Sequence, residues 1–200
     1  MKILIVGSGG REHAIAYACS KSPKVDKIYC APGNAGISEL AECVPISAME
    51  FDRLADFAAE KEIDLTVIGM DDPLVGGIVD LFEARGLRVF GTRKNAAIIE
   101  GSKAFSKDLM KKYNIPTAAY ETFTSADDAK KYLETSEYPI VLKADGLALG
   151  KGVLICNTKE EALAGVDELM LDKKFGDAGN TIVIEEFMTG REVSGLSFVD

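Results

Sequence analysis

The stretch MKILIVGSGGREHAIAYACS (Met1–Ser20) decides the fold. Lys2–Val6 is a continuous apolar run, the pattern of a strand buried on both faces. Gly7–Gly10 make a tight turn, and Gly10–Ser20 then carries Ala14, Ile15, Ala18 and Cys19 on one helical stripe. A strand, a glycine turn and a helix in that order open a parallel sheet. The same rhythm continues downstream. Strands at Lys27–Ala31, Cys43–Ile46, Leu65–Ile68 and Leu87–Phe90 alternate with helices at Phe51–Glu60 and Pro73–Arg85, the last stopped by Gly86. The spacing predicts a Rossmann-like α/β domain over residues 1–101, with helices on both faces of the sheet.

The glycine turn carries the first chemical signal. It aims backbone N–H groups and a helix N-terminus at an anion. Gly7 and Gly9 fit the dinucleotide pattern G-x-G-x-x-G, but Glu12 stands where the third glycine would allow close helix–strand packing. The second strand, KIYCA, has no acidic residue at its end for an adenosine ribose. Both features count against NAD or FAD and leave a smaller phosphate, for which Gly9, Gly10 and the guanidinium fork of Arg11 are the candidates. The plainer alternative is a turn with Arg11 as a solvated charge.

The texture changes after Gly91. Helices are expected at Ser102–Tyr113, at Ser125–Leu133 with Ser125 as N-cap, and at Thr158–Leu171 with a capping box of Thr158 and Glu161. An extended run, NIPTAAYETF, separates the first two. Strands are expected at Pro139–Lys143, Gly152–Cys156, Thr181–Phe187 and Glu192–Val199. Short strands with helices between them indicate a second, α+β domain over residues 102–200. The Thr181–Val199 region is expected to lack neighbouring strands and to leave an open edge.

Within this half, VLKADGLALGKGVLI (Val141–Ile155) holds three glycines and two lysines between apolar runs. A Walker loop places four residues between its glycines, then G-K-[ST], and leads into a helix. Here three residues separate Gly146 from Gly150, Gly152 follows Lys151, and strands flank the loop on both sides. That pattern reads as a lid between paired strands, able to close over a triphosphate. Lys143, near the end of the preceding strand, is placed to meet phosphate. IVIEEFMTGRE (Ile182–Glu192) completes the set: backbone groups near Glu185 can meet an adenine edge, and a carboxylate can accept two ribose hydroxyls.

Composition bounds the partners. The 200 residues carry a formal net charge of -9, with 47% hydrophobic and 28% charged residues. An acidic surface repels nucleic acid and anionic membrane, so neither is an expected partner. No apolar run is long enough to span a bilayer, and the N-terminus reads as a strand and not as a signal peptide. Four cysteines without a C-x-x-C and a single histidine argue against zinc and for reduced thiols in the cytoplasm.

The motifs GSGGREHA (7–14), APGNAG (31–36), EGSKAF (100–105), KADGLALGKGV (143–153), FGDAG (175–179) and IVIEEFMTGRE (182–192) resemble, in the same order, those of the phosphoribosylamine–glycine ligases, ATP-grasp enzymes of purine synthesis also called glycinamide ribonucleotide synthetases. The resemblance implies a pre-ATP-grasp domain followed by the start of an ATP-grasp domain, with a lid subdomain at about residues 120–192. It implies joining of glycine to 5-phosphoribosylamine with ATP hydrolysis, through a glycyl phosphate. Lys103 and Lys143 would then contact ATP phosphates, Lys143 as a catalytic group. Gly146, Gly150, Lys151 and Gly152 would form the lid. Glu185 and Met188 would meet adenine through the backbone, and Glu192 the ribose. Gly9, Gly10, Arg11 and Asp71 would bind phosphoribosylamine. Asp71 stands in GMDDPLV (69–75), where the family usually has glutamate in G-P-E-x-P-L. The family's ligands for Mg2+ or Mn2+ are expected beyond Asp200, so the 200 residues alone are expected not to catalyse ligation. Other readings of the same motifs are a non-catalytic nucleotide-binding module and another purine-pathway ATP-grasp ligase.

Overall fold

A computed structural model of the chain describes residues 1–147, 152–195 and 197. The chain forms two compact units, Met1–Gly101 and Ser102–Asp200. The first contains β1 (Lys2–Gly7), α1 (Gly10–Ser20), β2 (Lys27–Pro32), β3 (Glu42–Cys43), α2 (Phe51–Glu60), β4 (Leu65–Ile68), α3 (Asp71–Gly76), α4 (Ile78–Ala84), β5 (Val89–Phe90) and α5 (Lys94–Gly101). Its sheet is parallel in the order β3-β2-β1-β4-β5.

The central strand explains why the opening stretch is so apolar. Leu4 and Val6 face one side, in a cluster with Leu54 and Ala58 of α2 and Ile78 and Phe82 of α4. Ile3 and Ile5 face the other, with Ala16 of α1, Ile28, Cys30 and Ile37. A strand with period-two side chains and a core on each face has no polar position to spare. The chain leaves β1 toward β2 and later returns to β4 on the opposite side. A crevice therefore opens at the carboxyl ends of β1 and β4, where ligands of such sheets bind.

Two expectations need correction here. The single helix at Pro73–Arg85 is two helices, because Gly77 adopts a left-handed conformation with φ 95°. Its N–H bonds back to the carbonyls of Pro73 and Leu74 at 3.0 and 3.1 Å, a C-cap that ends α3 before α4 begins. The sequence reading also left out α5. It is anchored from outside its own apolar pattern: Asp80 accepts the N–H of Lys94 at 2.8 Å, and Arg93 pairs with Glu83 at 2.6 Å.

The second unit contains α6 (Lys103–Lys112), β6 (Tyr120–Phe123), α7 (Ala126–Leu133), β7 (Ile140–Ala144), β8 (Val153–Cys156), α8 (Lys159–Val166) and β9 (Ile182–Glu186). The sheet is antiparallel in the order β6-β9-β7-β8. One face, with Ile140, Leu142, Ala144, Ile182 and Ile184, packs on Ala129 and Leu133 of α7 and Ala162 and Val166 of α8. The opposite face carries Val141, Lys143, Val183 and Glu185, as the register requires.

Ser125 caps α7 as expected, its hydroxyl accepting the N–H of Asp128 at 3.3 Å. The Thr158–Leu171 helix is regular only to Val166 and continues as a π turn over Asp167–Leu171. Thr158 accepts the N–H of Glu161 at 3.3 Å, but the Glu161 carboxylate takes the N–H of Asn157, not that of Thr158. The open edge expected at Thr181–Val199 is absent from β9, which lies inside the sheet because the extended run before α7 supplies β6. No strand is assigned at 192–195; residues 196 and 198–200 of that expected strand lie outside the described residues.

Phe82 is fully buried at the junction of α4 with the first sheet. Phe82→Ala is expected to destabilise the first unit by about 3–5 kcal/mol through lost transfer energy and a residual cavity. Urea unfolding followed by circular dichroism measures this; an unchanged midpoint would mean that α4 does not pack as described.

Candidate functional site

The first unit gathers its candidates at the crevice. Gly9 is the N-cap of α1, Gly10 is its first residue, and Arg11 follows. Asp71 opens α3, directly after β4. The Arg11 guanidinium reaches the Asp71 carboxylate with two long contacts, 3.4 and 3.5 Å. Their side chains are 68% and 38% exposed, so the pair is worth little in stability, and Arg11 is able to turn to an incoming anion. Three of the four residues share one turn at the end of β1, and Asp71 meets them across the switch point.

The residue that shapes this turn is Glu12. It is 2% exposed, and its Oε2 accepts the N–H of Gly9 at 2.5 Å. Its Oε1 is buried without a hydrogen-bond partner. A Cβ on Gly7 would lie 2.6 Å from the Glu12 side chain, and one on Gly69 only 2.2 Å from Oε1. The two glycines therefore make room for a carboxylate where a dinucleotide fold has bare backbone. A buried carboxylate in contact with Gly9 opposes close approach of a pyrophosphate. The Gly9 amide is already engaged, so Gly10 and Arg11 are the stronger anion donors. Asn34 braces the turn from the end of β2, its amide donating to the Ser8 carbonyl at 2.7 Å.

The second unit gathers charge on the sheet face opposite α7 and α8, part of which α6 covers. Lys143 lies diagonal to Glu185 on neighbouring strands, and its ammonium is 2.9 Å from Glu185 Oε2. The Glu185 side chain is 6% exposed and that of Lys143 is 28% exposed. Lys107 of α6 meets the same oxygen at 3.2 Å, with a side chain 8% exposed. Thr117 Oγ1 at 2.7 Å and the Ala118 carbonyl at 3.4 Å complete its acceptors. Burying a carboxylate is costly unless it is paired and hydrogen-bonded, and here two cations share it. The Glu185 backbone is paired between β6 and β7, so it is the carboxylate that Glu185 presents to this face.

Lys103, one turn before Lys107, donates to the Gly146 carbonyl at 2.8 Å, at the base of the glycine loop. Asp145 accepts from Ser102 Oγ at 3.0 Å and from the Ala104 N–H at 3.0 Å, which ties the end of β7 to the start of α6. Gly152 is buried and accepts the Ala144 N–H at 2.8 Å, closing the loop's base. Gly150 and Lys151 lie outside the described residues. Met188 and Glu192 are exposed, beyond the end of β9. Val153 and Ile155, opposite Lys143 and Val141 in β8, are 40% and 56% exposed on this same face and offer an apolar surface.

Sequence reasoning missed Lys107, Asp145, Val153 and Ile155. The last two were legible as alternate positions of a strand whose neighbour carries Lys143. The first two depend on where α6 packs. Tyr120 lies opposite Glu185 in β6, and its hydroxyl donates to Asp108 at 2.8 Å. Burial, and then the Asp108 carboxylate, push its phenol up to about 12. Among the described residues no group of three or more His, Cys, Asp or Glu side chains is arranged to hold a metal ion, and none is assigned as a ligand.

Both units match known protein families. The family model for the phosphoribosylglycinamide synthetase N domain matches residues 1–100, and the model for the ATP-grasp (A) domain of the same synthetase matches residues 101–200. The phosphoribosylamine–glycine ligase of Halalkalibacterium halodurans is 54% identical over 199 residues, covering 100% of this chain and 46% of that protein. The crystal structure of the corresponding ligase from Thermotoga maritima aligns with a TM-score of 0.76 at 32% identity, over 96% of this chain and 45% of that one. The biotin carboxylase domain of Hydrogenobacter thermophilus 2-oxoglutarate carboxylase, solved with MgADP, ADP and bicarbonate, shares the fold with a TM-score of 0.75 at 19% identity. The chain spans about half the length of the curated relatives it matches. With family models matching it from end to end, the chain belongs to the phosphoribosylglycinamide synthetase family.

Proposed function

We propose that this chain supplies the sugar-phosphate turn and the nucleotide lid of an enzyme that joins glycine to 5-phosphoribosylamine, giving glycinamide ribonucleotide, ADP and phosphate. The observation that carries the proposal is the convergence at the base of the loop: Lys143 on the sheet face opposite α7 and α8, and Lys103 bonded to Gly146. The whole-length family match supports the same reading.

In this proposal ATP lies against the face of the antiparallel sheet opposite α7 and α8. Adenine rests over Val153 and Ile155, with Met188 and the chain after β9 alongside and Glu192 at the ribose. Lys143 and Lys103 meet the phosphates. Lys103 exchanges the Gly146 carbonyl for a phosphate oxygen, and Gly146, Gly150, Lys151 and Gly152 bind the nucleotide as its lid. Glycine's carboxylate attacks the γ-phosphoryl group and ADP leaves. The amine of phosphoribosylamine then attacks the glycyl carbonyl and phosphate leaves. The lysines serve by positioning and by neutralising charge on the transferring group. In the first unit, Arg11 and the Gly10 N–H bind the sugar's phosphate, and Asp71, released from Arg11, accepts from a ribose hydroxyl. Mg2+ or Mn2+, for which the described residues offer no cluster of ligands, would be held by residues that the full-length ligase adds, and would neutralise charge on the phosphates. The free thiols of Cys19, Cys30, Cys43 and Cys156 and the acidic surface suit a cytoplasmic enzyme of small substrates rather than one of nucleic acid or membrane.

Two variants test the two halves, each made in a ligase of the relatives' full length that carries this chain. Lys143→Met is expected to lower kcat/KM for ATP by a factor corresponding to about 2–4 kcal/mol of transition-state stabilisation. Wild-type turnover in steady-state phosphate release would remove Lys143 from the site. Arg11→Ala is expected to raise KM for phosphoribosylamine by the loss of one charge-assisted contact, about 1.5–3 kcal/mol, while KM for ATP holds. Equal losses for both substrates would make the turn a structural feature only.

A further inference from the structure

Lys107 is the least expected residue of the second unit. It is a lysine with a side chain 8% exposed, the one buried residue of an amphipathic helix. Each of its three ammonium protons has an acceptor: Glu185 at 3.2 Å, Thr117 at 2.7 Å and the Ala118 carbonyl at 3.4 Å. A fully satisfied buried ammonium holds one geometry, because any rotation leaves a donor unpaired. It also lies 5.5 Å from the centroid of the Tyr120 ring, which sits in β6 opposite Glu185.

The charge count gives this arrangement a use. Lys143 and Glu185 alone would form a neutral pair, and a polyphosphate approaching Lys143 would meet a carboxylate 2.9 Å behind it. With Lys107 on the same oxygen, the trio carries one net positive charge. Glu185 is compensated from the buried side, and the more exposed Lys143 is free to present its charge outward. Lys107 and Lys103 are one turn apart on α6, so the same helix also sets the lysine that holds the base of the loop.

We propose that Lys107 is a positioning residue for nucleotide phosphate. It compensates the Glu185 carboxylate from the buried side, so that the charge of Lys143 remains available to phosphate, without itself touching the nucleotide. This rests on the reading of Lys143 as a phosphate ligand.

The test uses the full-length ligase carrying this chain, with KM for ATP and the inhibition constant of adenosine measured side by side. Adenosine keeps the base and ribose but has no phosphate. Lys107→Met is expected to raise KM for ATP about tenfold or more, the usual scale for a partner that orients a ligating group, and to leave adenosine inhibition in place. Adding Glu185→Gln to Lys107→Met removes the carboxylate that would neutralise Lys143, and it is expected to recover most of the lost ATP affinity. The double variant holds no unpaired buried carboxylate, so it also checks the fold by circular dichroism. An unchanged KM for ATP in Lys107→Met overturns the proposal. So does equal weakening of ATP and adenosine, which is the signature of a structural role, and so does a double variant no better than the single one. Lys143→Met separates the two readings: if it leaves KM for ATP unchanged, the phosphate assignment itself fails, whereas a response to Lys143→Met but not to Lys107→Met overturns the positioning role alone.

Discussion

The second unit is organised around one electrostatic constraint, a carboxylate inside the protein that two ammonium groups must share. Glu185 belongs to an interior strand, so it cannot move toward water without breaking ladders on both sides. Its charge has to be met where it stands. Lys143 meets it from the adjacent strand and Lys107 from α6. The requirement pins α6 to the sheet face opposite α7 and α8 and determines which way Lys143 points. The packing of α6 and the electrostatics of the candidate phosphate site are consequences of the same contact.

The first unit uses a buried carboxylate differently. Glu12 has no cationic partner among the described residues; it accepts one backbone N–H and fills the space left by two glycines. Its effect is steric and electrostatic exclusion at the turn where a dinucleotide fold admits pyrophosphate. What remains for an anion is the outer rim, Gly10 and Arg11, facing Asp71. That favours a small phosphate at the mouth of the crevice over an extended dinucleotide lying along it. Gly7 and Gly9 therefore serve packing against Glu12 at least as much as ligand approach, whereas Gly10 faces open space.

The two sheets place their chemistry by opposite rules. A parallel sheet covered on both faces has no free face, so its polar groups collect at the carboxyl ends of the strands. The antiparallel sheet has α7 and α8 on one face and only α6 on part of the other, which leaves alternate residues of its strands for another purpose. Lys143, Glu185, Val153 and Ile155 occupy those alternate positions.

The sequence by itself determined the elements whose stability is local or whose pattern is uninterrupted. The apolar run of β1, the glycine turn, the capped α7 and the strands flanking Val141–Ile155 all follow from periodicity and turn chemistry within a few residues. Lys143 and the glycines of the loop were candidates on phosphate chemistry alone, whereas Lys103 came only with the family resemblance. The break at Gly77 was not legible, since a helical glycine and a left-handed glycine are the same letter until a C-cap forms around it. Nor was β9 legible as an interior strand, because its neighbour β6 comes from a run some sixty residues earlier that has no strong strand signal of its own. The partners of Glu185 and the role of Glu12 were decided only by tertiary structure. A charged residue's meaning depends on what stands opposite it, and the residues opposite, Lys107 and Gly69, lie far away along the chain.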